Sequence, residues 1–93
     1  MDQLYKEIVS FQHRCKDDMD DRSHPIGRSL EKEVQRLEDE AQAQKNPHSI
    51  EDQVQVVMRL LHQAGDNNVM SHNHADELIR QCEDFRKKLQ KLA

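Results

Sequence analysis

An all-α fold, a small antiparallel bundle of helices, is what this sequence predicts, and three observations carry that expectation. Apolar residues return at three- and four-residue spacings, as in Ala75, Leu78, Cys82, Phe85, Leu89 and Leu92. That is the rhythm of a helix packing along a neighbouring helix. No alternating strand-like run and no internal repeat interrupts it. Apolar residues are only 34% of the 93, with one Tyr, two Phe and no Trp, too few for a thick core and normal for helices that bury a narrow stripe. A chain of this length buries roughly 60–70% of the surface it would expose unfolded, so one thin-cored domain over residues 1–93 is expected.

The first helix is expected over about residues 2–20. Leu4, Ile8, Phe11 and Cys15 form its stripe, Met19 continues it, and Tyr5 and Val9 widen it. The cluster Asp17, Asp18, Asp20 and Asp21 is unfavourable at the negative end of a helix dipole, and Ser23-His24-Pro25 follows. Either the helix frays early or the Asp cluster caps what comes next. A second helix, about 26–44, is set by Ile26, Leu30, Val34, Leu37 and Ala41. Its start lies between residues 25 and 29, because Pro25 suits a first helical position and Gly27 does not suit an interior.

Asn46-Pro47 disfavours helix, since the residue before Pro is pushed out of the α region and Pro has no N–H to give. Ser49 followed by Asp52 resembles a capping box opening a third helix over about 49–70. Phase supports a break. At about 100° per residue, Ile50, Val54, Val57, Leu61 and Ala64 would lie nearly opposite Leu37 and Ala41 on an unbroken helix. Residues 45–48 are therefore a loop, or a kink that resets the buried face. Gly65 either stops this helix or sits inside it, with the helix running to Met70. The fourth stretch, about 74–92, has Ser71 or Asn73 to cap it, Asp76 and Glu77 at its start, and Arg86, Lys87, Lys88 and Lys91 at its end, matching the dipole. Two arrangements fit: a three-helix bundle whose second helix is broken or kinked near Asn46-Pro47, and four shorter helices.

Composition narrows the function. Fourteen basic against 18 acidic residues leave a net charge of −4, which gives no footprint for nucleic acid or anionic lipid. No run approaches the about 20 apolar residues of a membrane span, and MDQLYKEIVSF lacks the parts of a signal peptide. A cytoplasmic protein without membrane insertion is expected. Cys15 and Cys82 fall on apolar ladder positions and read as reduced core residues.

The run VMRLLHQAGDNNVMSHNHADELIRQCEDFRKKLQKL resembles the end of a spectrin repeat. Gly65-Asp66, His74, Ala75-Asp76-Glu77-Leu78-Ile79, Phe85 and Leu89 occupy that family's marked places, and the resemblance covers about residues 54–92. It implies a left-handed three-helix bundle with helices at about 2–20, 28–70 with an interruption at Asn46-Pro47, and 74–92. It also implies a scaffolding module, one unit of a longer protein, and no catalytic residue.

His72 and His74 with Asp76 and Glu77, and His13 with Cys15, are donor groups, but none has a closed ligand spacing. His72 and His74 read as loop and cap residues, His13 and His62 as partly exposed helix positions, and no metal site is assigned. A nucleophilic Cys15 or Cys82 needs a His, an orienting group and a dry pocket. A seam this thin has no room for one, so no catalytic residue and no cofactor is assigned. The run Glu38-Asp39-Glu40 reads as a solvated face, and Arg86-Lys87-Lys88-Lys91 as a dipole complement without interleaved aromatics. The ladders either all face inward in one bundle or leave one seam exposed for another chain. Val56, Leu60 and Val69, off the main stripes, give some weight to the second, and a folded monomeric bundle with an additional helical contact is expected. The expected function is a non-catalytic structural or protein-interaction module of an intracellular scaffold or cytoskeleton-associated protein, a helical spacer and docking surface. Its partners would be other proteins met through helix faces, an adjacent repeat or a second copy. The alternative is a stand-alone small dimerising helical regulator or adaptor.

Overall fold

The structure, a computed structural model, describes residues 2–92. Four helices follow one another: α1 (Asp2–Asp18), α2 (Pro25–Gln42), α3 (Pro47–Asp66) and α4 (His72–Leu92). Each packs on its chain neighbour, and α1 closes the ring on α4, with no diagonal contact. This is an up-down-up-down four-helix bundle, and its long axis spans 35 Å. Of the two arrangements the sequence allows, the four-helix one is adopted. The expected long second helix doubles back at Asn46-Pro47, which lets the α2 and α3 stripes, opposed on one straight helix, face one core.

That core is a single cluster. Leu4, Ile8, Phe11 and Cys15 enter from α1, Leu30, Val34, Leu37 and Ala41 from α2, Ile50, Val54, Val57, Leu61 and Ala64 from α3, and Ala75, Leu78, Cys82, Phe85 and Leu89 from α4. Phe11 and Phe85 meet edge to face with ring centroids 5.4 Å apart, an arrangement that adds to their area burial. Phe11 is thus the bulky residue at the α1–α4 seam of a chain without Trp.

The helix boundaries differ from expectation at both ends, for local reasons. α1 stops at Asp18, where the Arg22 guanidinium donates to the Lys16 carbonyl at 2.8 Å and satisfies an orphaned acceptor. The Asp cluster does not cap α2 directly. Asp21 Oδ1 accepts from Ser23 Oγ and from the His24 N–H, and His24 Nδ1 itself accepts from the Ile26 N–H at 3.1 Å. Pro25 then takes the first helical position. Gly27 lies inside α2 because a Cβ there would sit 2.7 Å from the Asp21 carbonyl oxygen.

α3 starts two residues before expectation. Asn46 caps it, its side-chain oxygen accepting from the His48 N–H at 2.8 Å, and Pro47 opens it. The Ser49–Asp52 capping box is not used as a start. α2 and α3 end alike. Gln44 and Asn68 take left-handed φ values of 52° and 58°. In α2, Gln44 N–H donates to Ala41 and Lys45 N–H to Glu40; in α3, Asn68 N–H donates to Gly65 and Val69 N–H to Ala64. These are Schellman closures. Gly65 neither stops α3 as its left-handed residue nor allows the helix to reach Met70. It is needed for space, since a Cβ there would lie 3.3 Å from the Ala75 Cβ. α4 begins at His72, earlier than expected, with Ser71 Oγ accepting from the His74 N–H.

The two loops at this end are joined. The Val69 carbonyl accepts from the Asp20 N–H at 2.7 Å and from the Asp21 N–H at 3.2 Å. Val69 is fully buried, and Leu60 packs half-buried against the core. Val56 is half-buried and lines a groove between α2 and α3, so the three residues form no exposed seam among the described residues, where the one large exposed apolar side chain is Leu92 at 51% exposure. No described helix is long and apolar enough to cross a membrane.

Candidate functional site

Polar chemistry in this bundle lies along its seams. On the α1–α4 seam the pairs run in antiparallel register: Glu7 with Lys88 at 2.7 Å, Arg14 with Glu77 at 2.8 Å, and His74 Nδ1 with Asp18 at 3.8 Å. Glu51 of α3 holds α4 through Arg86 at 3.4 Å and Gln90 at 2.8 Å. Half of the basic α4 terminus, Arg86 and Lys88, thus holds helices together, while Lys87 and Lys91 stay exposed. Gln53 of α3 donates to the Glu33 carbonyl at 2.8 Å and to Glu33 Oε1 at 3.1 Å. Gln12 of α1 donates to Gln35 Oε1 of α2. Such buried or half-buried amides fix helix register, because their displacement leaves polar groups unpaired.

The histidines and their acidic neighbours separate into two groups. His13, His62, His72 and Asp76 are exposed and lie outside any cluster. His72 has its ring against Gly65. His74, Asp18, Arg14 and Glu77 gather at the loop end, above the buried and free Cys15. A nucleophilic thiol needs its pKa lowered. Here burial, reinforced by the Asp18 carboxylate against a smaller opposing effect of Arg14, pushes the Cys15 thiol up to about 12. Burial also pushes the Cys82 thiol well above its ordinary value, with Cys15 adding to the effect. Both thiols therefore behave as core hydrophobes. Among the described residues no three His, Cys, Asp or Glu side chains form a metal-holding group.

The acidic run on α2 is not wholly a solvated face. Glu38 and Asp39 accept from the Gln35 amide. Glu40 is buried, pairs with Arg36 at 3.4 Å, and leaves its Oε1 without a hydrogen-bond partner. The sequence offered no signal for this, because Glu40 flanks Ala41 at the edge of a stripe whose width only the α3 packing defines.

Two open grooves lie between neighbouring helices. One, of about 310 Å³, lies between α2 and α3 and is lined by residues that include Glu40, Lys45, Asp52 and Gln53. The other, of about 360 Å³, lies between α1 and α2 and is lined by Lys16, Arg28, Glu31, Lys32 and Gln35. Sequence reasoning singled out none of this second group. The spacing of Arg28, Glu31, Lys32 and Gln35 places them on one face of α2 beside its buried stripe, a legible signal. Lys16 joins them only through the antiparallel pairing of α1 with α2. No protein-family model, no curated protein and no solved structure matches this chain.

Proposed function

We propose that this chain is a non-catalytic protein-interaction module of an intracellular, cytoplasmic scaffold or cytoskeleton-associated protein. The observation that carries this reading is where the apolar residues go. They are consumed in holding four helices around one core, and the outward faces they leave are charged, with shallow grooves between helices. Such a body presents fixed helix faces at little conformational cost, which is what a docking surface requires. The resemblance of residues 54–92 to a spectrin repeat supports the reading through α3 and α4. The doubling of α2 onto α3 departs from the three-helix bundle that the resemblance implies, so the support of the resemblance is confined to α3 and α4. As a spacer its reach is modest, since Asp2 and Leu92 lie at the same end of a 35 Å long axis.

The test is affinity capture from the native cell extract with the wild-type chain and with variants reversed in charge on single exposed faces, such as Arg80→Glu with Lys87→Glu on α4. A defined partner retained by the wild type and lost by one such variant, whose thermal melt is unchanged, is the expected result. Indifference of every retained protein to every face would sink the proposal.

A further inference from the structure

We propose that the groove between α1 and α2 binds a small phosphomonoester that also carries a hydroxyl or ammonium group. This site goes beyond the docking-module reading and does not depend on it. Lys16, Arg28 and Lys32 line one cavity of about 360 Å³. Among the described residues none of the three has a carboxylate within ion-pair distance, which is equally true of Lys6, Arg22, Lys45, Arg59, Arg80, Lys87 and Lys91; what sets the three apart is that they line one cavity. Arg28 and Lys32 stand one turn apart on α2, a like-charge spacing that destabilises a bare helix and that a bound dianion relieves. Arg22 donates to the Lys16 carbonyl at 2.8 Å, which holds its guanidinium at the end of α1 next to Lys16 but outside the cavity lining.

The remaining lining narrows the ligand. The Gln35 amide is already committed, its Nε2 donating to Glu38 and Asp39 and its Oε1 accepting from Gln12. It walls the groove and supplies no donor. Glu31 is the one carboxylate in the lining. A bare phosphate meets it as repulsion, while a phosphomonoester with a hydroxyl or ammonium group beside the phosphate gives it a donor to accept from. Three cations around one dianionic group make charge-assisted hydrogen bonds, with Arg28 able to engage two phosphate oxygens at once. The cavity is small for a ligand site, open and charged, which suits a polar molecule of a few heavy atoms beyond its phosphate. On a chain of net charge −4, one isolated basic groove is not a nucleic-acid track.

The test is an amide NMR titration of the full chain at low ionic strength with inorganic phosphate and with glycerol 3-phosphate, sodium chloride serving as control. Saturable shifts concentrated at residues 16, 22 and 28–35 are expected, with glycerol 3-phosphate the tighter ligand. Arg28→Gln and Lys32→Gln should each weaken binding about tenfold, the loss of one charge-assisted contact, with unchanged melting. Glu31→Gln should abolish the preference for glycerol 3-phosphate over phosphate. A parallel arm uses phosphatidylcholine vesicles containing lysophosphatidic acid, a phosphomonoester that keeps a free hydroxyl. Sedimentation with them that Lys32→Gln removes assigns the phosphomonoester to a lipid headgroup, and binding in solution alone assigns it to a free metabolite. Shifts that fail to saturate, or affinities that the substitutions leave unchanged, overturn the site.

Discussion

Cys15 and Cys82 show how much a single burial decides. Both thiols are displaced upward, Cys15 to about 12 from an ordinary value of 9.0. Below pH 9 the folded and unfolded chains both keep these protons, so the thiols add no pH dependence. Above it the unfolded chain releases protons that the folded chain holds, and stability falls by up to about 1.4 kcal/mol per pH unit for each thiol. Urea unfolding followed between pH 8 and 10 should therefore show a steeper alkaline loss for the wild type than for Cys15→Ala with Cys82→Ala. Parallel curves would contradict the burial of these thiols. Gly27 makes a second case at this scale. Gly27→Ala gains about 1 kcal/mol of helix propensity, but its Cβ meets the Asp21 carbonyl at 2.7 Å, a backbone atom held by the turn. Overpacking of this kind costs about 1–3 kcal/mol. A net loss of about 1 kcal/mol in denaturant unfolding is expected, and a stabilised Gly27→Ala would show that the turn yields freely.

At the scale of helices, the ends were decided by backbone closures that involve residues outside the stripes. The stripes themselves were readable: every apolar residue assigned to the main ladders of α2 and α3 is buried, except Ile26, which is half-buried. The break at Asn46-Pro47 was also readable, because Pro restricts both itself and its predecessor. The closures were not, since Gln44 and Asn68 are not glycines and carry weak signals for a left-handed residue. Nor could the sequence place Lys16 beside Arg28 and Lys32, which requires knowing which helices are neighbours. Gln44 is exposed and strained by its positive φ. Gln44→Gly should stabilise the bundle by about 0.5–1 kcal/mol, read as a raised denaturation midpoint with an unchanged slope. A lowered midpoint would mean that the Gln44 side chain contributes more than its strain removes.

For the molecule as a whole, one core shared by four helices predicts one cooperative transition. Far-UV circular dichroism and the fluorescence of Tyr5, half-buried on α1, should report coincident urea curves. An earlier Tyr5 transition would show α1 leaving first. Light scattering should find a monomer at high concentration, because the apolar surface is internally committed and Leu92 alone is too small a patch for stable association.

Because α1 and α4 are antiparallel neighbours, a chain pulled through Asp2 and Leu92 would be pulled from one end. Their contact is the least extensive of the four in the ring. Tension would break it in sequence, first Glu7 from Lys88, then Phe11 from Phe85, then Arg14 from Glu77, instead of loading all three together. Under force the bundle would unzip as a latch, where a rod held at opposite ends would bear the load as a strut.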